Sequence, residues 1–336
     1  MPALNLKIRV ETLRLAQPFV ISGYVFREQE VVVATVDDGR HSGRGEASGV
    51  YYLGDTAASI LAGIEGVREA IEAGADRKAL QELLPAGGSR NAIDCALWEL
   101  EAMRAGTSVC ALAGFASPKP LITTFTLGAD TPEAMAAGAK KYAQARSLKL
   151  KLTGELALDI ERVRAVRRAR PEVWIGVDAN QGYTIDALDA LIEALLAERV
   201  SLLEQPLKRG READLHGYKS SIPLAADESA LSRADLPGLV KRFDIVNIKL
   251  DKSGGLTEAL AMAHEARRLG LGVMVGNMVG SSLAMAPGFV VGQLCDVVDL
   301  DGPIFLAEDR SPSVIYDNGM VWSPAAVWGG AHAERH

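Results

Sequence analysis

The amino-acid sequence predicts an α/β chain whose larger part closes into a parallel barrel behind an N-terminal α+β segment. Three observations predict it. Residues 1 to about 50 read as strands and residues 55 to 106 as helices. From residue 121 onward, short apolar strands alternate with amphipathic helices, eight strands at a spacing of roughly 25 residues; this is the rhythm of right-handed βαβ units and a parallel sheet. Acidic side chains also recur at the ends of successive strands, where barrels carry their chemistry. Eight units favour a closed barrel over an open doubly wound sheet, and no G-x-G-x-x-G follows a strand to argue for a dinucleotide fold.

Each element has its own signal. "NLKIRVETLRL" alternates, "EQEVVVATVDDG" is β-branched and ends in a turn, and "GRGEAS" follows. "SRNAIDCALWELEAMRAG" begins with a Ser that suits an N-cap, has apolar residues at helical spacing and stops at Gly106. "LITTFTLGA" is the first barrel strand, and the helix after it opens at Thr131 and Pro132. "LKLKL", "VWIGVDANQG", "VSLLEQPL", "IPLAADES", "DIVNIKLDKSGG", "GVMVGNM" and "DVVDLDGP" are the remaining strands, most of them separated by helical stretches. From Leu269 to Cys295 no charged residue occurs, but six glycines, Pro287 and several polar residues interrupt the run. It reads as a buried strand, a loop and a buried helix rather than a membrane span.

Composition narrows the function. A chain of 336 residues, 48% of them hydrophobic, can bury a large core. Its net charge of −7, with no basic run, excludes a nucleic-acid partner. Three cysteines, Cys95, Cys110 and Cys295, without metal-type spacing point to reduced thiols and a cytoplasmic protein. The N-terminus lacks the apolar core of a signal peptide, no membrane association is expected, and a homo-oligomer is.

The chemistry is expected at the strand ends. Asp178, Glu204 and Asp227 follow one another at intervals of 26 and 23 residues, about one βα unit each. Three carboxylates converging from three neighbouring strands repel unless a cation sits among them. Oxygen donors on rigid strands suit a hard divalent ion, Mg2+ before Zn2+. Lys149 and Lys151 occupy the face of "LKLKL" opposite Leu148, Leu150 and Leu152, on the strand before Asp178; Lys252 lies beyond Asp227. Each acidic residue taken alone could be a helix cap or a solvated surface group; the repeat on three strands, flanked by lysines, favours a site.

In their order, "KLKL", "VDANQGYT", "LLEQPL", "ADES", "VNIKLDKSGG" and "DLDGP", with "RNAIDCALWELEAMRAG" ahead of them, make the chain resemble the enolase superfamily. Within it the resemblance is to the muconate-lactonizing-enzyme-like subgroup and its dipeptide epimerases. The resemblance implies an α+β capping domain over residues 1–115, with substrate loops near 19–29 and 48–55. It implies a (β/α)7β barrel over 116–310 and a C-terminal segment, 311–336, that returns to the cap. It implies one Mg2+ held by Asp178, Glu204 and Asp227. Lys151 and Lys252 would be the two acid/bases, and Lys149 would orient the substrate carboxylate and lower the pKa of Lys151. Lys249 is the rival of Lys252, which is preferred because the subgroup's base directly precedes the Ser-Gly-Gly turn. The ion and ammonium groups would stabilise the enediolate left when a proton leaves the carbon beside a carboxylate.

The subgroup also contains o-succinylbenzoate synthases, N-acylamino acid racemases and cycloisomerases. Asp299 and Asp301, two apart on the last strand, face the same way and suit an ammonium group. The resembling dipeptide epimerases carry such an Asp-x-Asp for the free amino group of a dipeptide. Structural roles remain open for the pair: Asp301 as cap of the next turn, Asp299 as partner of a barrel lysine. Thr124 and Asn277 are expected to line the pocket, and Arg27 to meet a second substrate charge. A Schiff-base aldolase would also use a buried lysine on the sixth strand, but has no need of three carboxylates.

Overall fold

The computed structural model describes residues 4–21 and 23–330. Ser22, in the expected loop 19–29, and residues 331–336 of the expected C-terminal segment lie outside the described residues. The N-terminal part is an antiparallel sheet of β1 (Asn5–Ile21), β2 (Tyr24–Asp37) and β3 (Ser42–Ser48). The β1–β2 register shifts between Arg14 and Phe19, so the far end of the pair forms a separate hairpin arm. Helices α1 (Ala57–Gly66), α2 (Arg68–Glu72), α3 (Arg77–Leu83), α4 (Gly88–Ala105) and α5 (Val109–Leu112) follow. Residues such as Val32, Ala34, Ile60, Ile64, Ile93 and Leu97 form a core between sheet and helices.

Helix α4 lies against β3 because the "GRG" of β3 has no side chains at Gly43 and Gly45; a Cβ there would collide with the carbonyls of Ala96 and Ala92. The helix ends at Gly106 in the left-handed conformation, as its sequence predicts. Its N-cap differs from the expectation. Gly87 holds that position, and Ser89 is inside the helix, its hydroxyl donating to the carbonyl of Ile60. A serine one turn deep can satisfy a neighbouring helix as readily as cap its own.

The strand β4 (Leu121–Ile122) precedes the barrel proper. The barrel strands are β5 (Thr124–Leu127), β6 (Ser147–Lys151), β7 (Trp174–Asp178), β8 (Leu202–Glu204), β9 (Leu224–Ala226), β10 (Ile245–Ile248), β11 (Gly272–Val275) and β12 (Val297–Val298). They pair in parallel and in chain order, each with the next. No ladder joins β12 to β5. Side chains close that seam: Leu300 N donates to Thr123 Oγ1 (2.9 Å), Thr126 N to Asp301 Oδ2 (2.6 Å), and the Thr124 hydroxyl to Asp299.

Outside the ring run α6 (Pro132–Lys141), α7 (Leu156–Ala169), α8 (Ile185–Ala197), α9 (Leu236–Leu239), α10 (Leu250–Ser253), α11 (Leu256–Arg268) and α12 (Ser282–Gly292). Leu148, Leu150 and Leu152 pack into the core outside the ring with no exposed surface, as the alternation of "LKLKL" predicts. Inside the ring, Leu202, Ala225 and Met274, with Trp174, Ile245 and Val297 against them, form an apolar floor. The uncharged stretch 269–295 is β11, a loop and α12, and among the described residues no helix is long and apolar enough to cross a membrane.

After the barrel, β13 (Ile315–Asp317) pairs with β14 (Met320–Trp322), and β14 pairs with β4. Residues 327–329 then meet the N-terminal part. Arg44 donates to the carbonyl of Val327, Trp328 Nε1 to that of Arg44, and Gly329 N to Glu99.

Candidate active site

Strand parity builds the site. On β6 the leucines face the helices, so Lys149 and Lys151 face the interior. Lys151 pairs in register with Asp178 on β7, and Asp178 with Glu204 on β8. Asp227 stands one residue past β9. Carboxylate oxygens of Asp178, Glu204 and Asp227, one from each, lie within 4.8 Å of one another. All three residues are at most 1% exposed.

The lysines neutralise this cluster. Lys151 Nζ is 2.5 Å from Asp178 Oδ2. Lys149 Nζ is 2.7 Å from Glu204 Oε2, 2.8 Å from Asp299 Oδ2 and 3.4 Å from Asp178. Lys249 Nζ is 2.6 Å from Asp227 Oδ2. Lys252 donates to the carboxylate and carbonyl of Asp227 and to the carbonyl of Asn247. Glu204 accepts from Asn247 Nδ2 at 2.7 Å. Its buried Oε2, although near Lys149, has no partner in hydrogen-bond geometry. Three close hard-oxygen donors and a buried oxygen without a hydrogen bond fit a divalent ion of the Mg2+ kind.

Burial raises the pKa of every carboxylate here, and the ammonium groups decide the outcome. Against burial, Lys151 and Lys149 hold Asp178 below the ordinary range, and Lys249 and Lys252 hold Asp227 far below it. Burial and the charge of Asp178 leave Glu204 raised. Burial and Asp227 push Glu228 up to about 8. Burial pulls Lys249 down, but Asp227 more than offsets it; the same contest, with Asp299 and Glu204, raises Lys149. For Lys252 burial prevails and the pKa falls.

A cavity opens above the cluster. Lys149, Lys151 and Lys249 line it from the barrel, with Asn277, Asp299 and Asp301. Phe19, Ile21 and Phe26 of the hairpin arm, Gln29 farther along β2, and Tyr51 after β3 line it from the N-terminal part. In the ring of eight, β6 and β10 are four strands apart, as are β8 and β12. Lys151 and Lys249 thus face each other across one diameter. The carboxylate cluster and the Asp299/Asp301 pair face each other across another.

The structure places three of the expected site residues outside the cavity lining. Lys252 does not line the cavity: β10 ends at Ile248, and Lys252 sits in α10 with a side chain 0% exposed. Lys249 lines it instead, because Ile245, Asn247 and Lys249 share the inward parity of β10. Thr124 faces inward but too deep; its hydroxyl goes to Asp299, and Thr126, nearer the mouth, is the lining residue. Arg27 is exposed and absent from the lining, since its neighbour Phe26 takes the inward face of β2. Asn277 stands where expected, its amide donating to the carbonyl of Asp299 at 2.6 Å. Strand parity could have found both: Lys249 lies two residues on from Asn247, and Thr126 two on from Thr124. The aromatic residues of the hairpin arm carry no such signal, because an irregular register sets their direction.

Burial and Asp299 push Asp301 up to about 7, whereas Lys149 outweighs burial and holds Asp299 low. The pair is a buried acceptor aimed at the cavity, with Asp301 also held by Thr126 N.

The chain is similar to known proteins over most of its length. Residues 3–114 match the family described as mandelate racemase / muconate lactonizing enzyme, N-terminal domain, and residues 134–326 match enolase C-terminal domain-like proteins. The L-Ala-D/L-Glu epimerase of Escherichia coli (strain K12) is 39% identical over 94% of this chain and 98% of its own length. An enolase family member from Agrobacterium tumefaciens, with homology to dipeptide epimerases and with bound sodium and L-Ala-L-Glu, superposes with a TM-score of 0.93 at 39% identity, covering 97% of this chain and 100% of that one. The dipeptide epimerase of Methylococcus capsulatus, complexed with Mg and L-Arg-D-Lys, gives a TM-score of 0.89 at 29% identity over 96% and 97%.

Proposed function

Because this chain belongs to the mandelate racemase / muconate lactonizing enzyme family of the enolase superfamily, and is an isomerase of the racemase and epimerase kind, we propose that it epimerises a dipeptide at the α-carbon of its second residue. The observation that carries the reading is the pair Lys151 and Lys249, lining one cavity from opposite strands beside three clustered carboxylates.

Asp178, Glu204 and Asp227 would hold a divalent ion; the Mg in the Methylococcus capsulatus complex supports Mg2+. Bound there, it would neutralise the substrate carboxylate and stabilise the negative charge that develops as the α-proton leaves. Lys149, beside Glu204, directs the carboxylate to that side of the barrel. Asp299 and Asp301 receive the free ammonium group on the opposite side. A substrate so stretched places its second α-carbon between Lys151 and Lys249. One neutral lysine takes the α-proton to leave the enediolate, and the ammonium group of the other then delivers a proton to its opposite face, so two successive proton transfers invert one centre.

Asp299 is already paired with Lys149, whereas buried Asp301 has no cation beside it among the described residues; a dipeptide's ammonium group supplies one, and an N-acylamino acid, a succinylbenzoate precursor or a muconate does not, so Asp301 favours a dipeptide over these sister substrates. The three unpaired cysteines suit a reducing compartment such as the cytoplasm. Residues 1–115 would act as the cap, 116–310 as the catalytic barrel and 311–336 as a return to the cap; the family matches over 3–114 and 134–326 support this division.

The test is mass spectrometry of dipeptides in D2O with Mg2+. The wild type should place one deuteron on the second α-carbon and produce both epimers. Lys151→Ala and Lys249→Ala should each lower epimerisation by about 10²–10⁴-fold, each still exchanging the α-proton of one epimer only. Exchange confined to compounds without an amino group would refute the reading.

A further inference from the structure

The substrate's second side chain has one way out of this site. Its carboxylate lies toward β7–β9, its amino end toward β12, and the lysines flank the α-carbon. Below, Leu202, Ala225 and Met274 close the barrel floor. The side chain must therefore leave upward, against the cap. There the wall is Phe19, Ile21, Phe26 and Tyr51, with Phe305 from the barrel.

This wall is braced rather than open. The rings of Phe19 and Phe305 lie 4.6 Å apart, Phe26 and Tyr51 5.5 Å, Tyr24 and Tyr51 4.5 Å. Ala129 N donates to the carbonyl of Val20 at 2.9 Å, tying the hairpin arm to the barrel. The polar groups the cap adds are neutral: the hydroxyl of Tyr51 and the amide of Gln29, which donates to the carbonyl of Glu30. Among the described residues no cation of the cap lines the cavity; Arg27 faces away. The lining lysines are each committed to a buried carboxylate. An acidic second side chain would be desolvated here without a cation to pair with, and a cationic one would meet only the neutral oxygens of Gln29 and Tyr51 on the cap wall, with no carboxylate there among the described residues.

We propose that the dipeptide's second residue is apolar, aliphatic or aromatic, and that the wall of Phe19, Ile21, Phe26 and Tyr51 sets this preference. The inference rests on the epimerase reading above and deepens it.

The experiment is deuterium incorporation by the full-length protein with Mg2+, across L-Ala-L-X dipeptides with X as Leu, Met, Phe, Glu or Lys. A parallel measurement is the melting shift each dipeptide produces. The expected result is exchange at least about tenfold faster for Leu, Met or Phe than for Glu or Lys, with the melting shifts in the same order. Phe26→Arg should reverse the order between Phe and Glu. Faster exchange of Glu or Lys by the wild type overturns this inference and leaves the epimerase reading intact. Exchange of none of the dipeptides overturns both.

Discussion

Gly276 shows how tightly a single position is constrained at the level of the residue. It faces inward beside β10, where an added Cβ would stand 2.7 Å from Asn247 Oδ1 and 3.0 Å from Lys249 Cε. Alanine there must push aside either the support of Glu204 or the lysine itself. Gly276→Ala is expected to lower turnover by about tenfold or more, since small misplacements of catalytic groups are costly, while circular dichroism shows the fold retained. Lys252 gives the complementary case. It is buried on Asp227 and never reaches the cavity, so Lys252→Met should lower the melting temperature yet keep proton exchange at both epimers. Loss of exchange at one epimer alone would make Lys252 a base and restore the expectation drawn from the Ser-Gly-Gly pattern. The metal ligands make a third prediction. Mg2+ should raise the melting temperature of the wild type by mass action, and Asp178→Asn should remove most of that rise; an undiminished rise would place the ion elsewhere.

Helix α4 and the turn after β10 act as one element. Arg90 donates to the carbonyls of Ser253 and Gly254, Asn91 to Asp251 at 2.9 Å, and Thr257 N to Asp94 at 2.9 Å. Gly254 and Gly255 both have positive φ, and a Cβ on Gly255 would meet Asp94. The cap thereby holds the turn that carries Lys249. Asp251, fully buried, accepts from Ser48 N and Asn91; burial and the nearby charge of Glu46 push it up to about 7 from an unfolded value of 3.8. A raised acid binds its proton more tightly folded than unfolded. Its contribution is therefore most favourable below pH 4 and is lost as pH rises through about 7. Asp251→Asn keeps an acceptor for both donors and removes the titration. It should flatten stability between pH 4 and 7, and above pH 7 raise it by up to a few kcal/mol, measured by denaturant melts across pH. A variant with the wild-type slope would show that Asp251 is not the group responsible.

Over the whole molecule, the N-terminal sheet and the barrel are joined by buried charge. Glu46 on β3, its side chain 0% exposed, accepts from Ser281 and from Arg310, which also reaches Glu11. Removing one partner of such a pair leaves a buried charge uncompensated. Arg310→Met is expected to cost about 3 kcal/mol and to lower a single unfolding transition seen alike by fluorescence and circular dichroism. Two separated transitions would show that cap and barrel unfold independently. The same joining matters for catalysis, since the cavity takes one wall from the cap and one from the barrel.

The periodicities in the sequence determined the eight-strand barrel, the inward lysines of β6, the three converging carboxylates and the acidic pair on the last strand. All of these follow from local rules: a period of two within a strand and one βα unit between strands. Tertiary structure alone decided where a local pattern breaks. Lys249 rather than Lys252 reaches the cavity because β10 ends at Ile248 and a helical turn begins at Leu250, which carries Lys252 out of the inward row. Phe26 rather than Arg27 faces the substrate space because a register shift in β1–β2 turns the hairpin arm, and contacts with Tyr51 and the barrel hold it there. Direction at such a break depends on what the chain meets from far away in sequence, and no local periodicity carries that information.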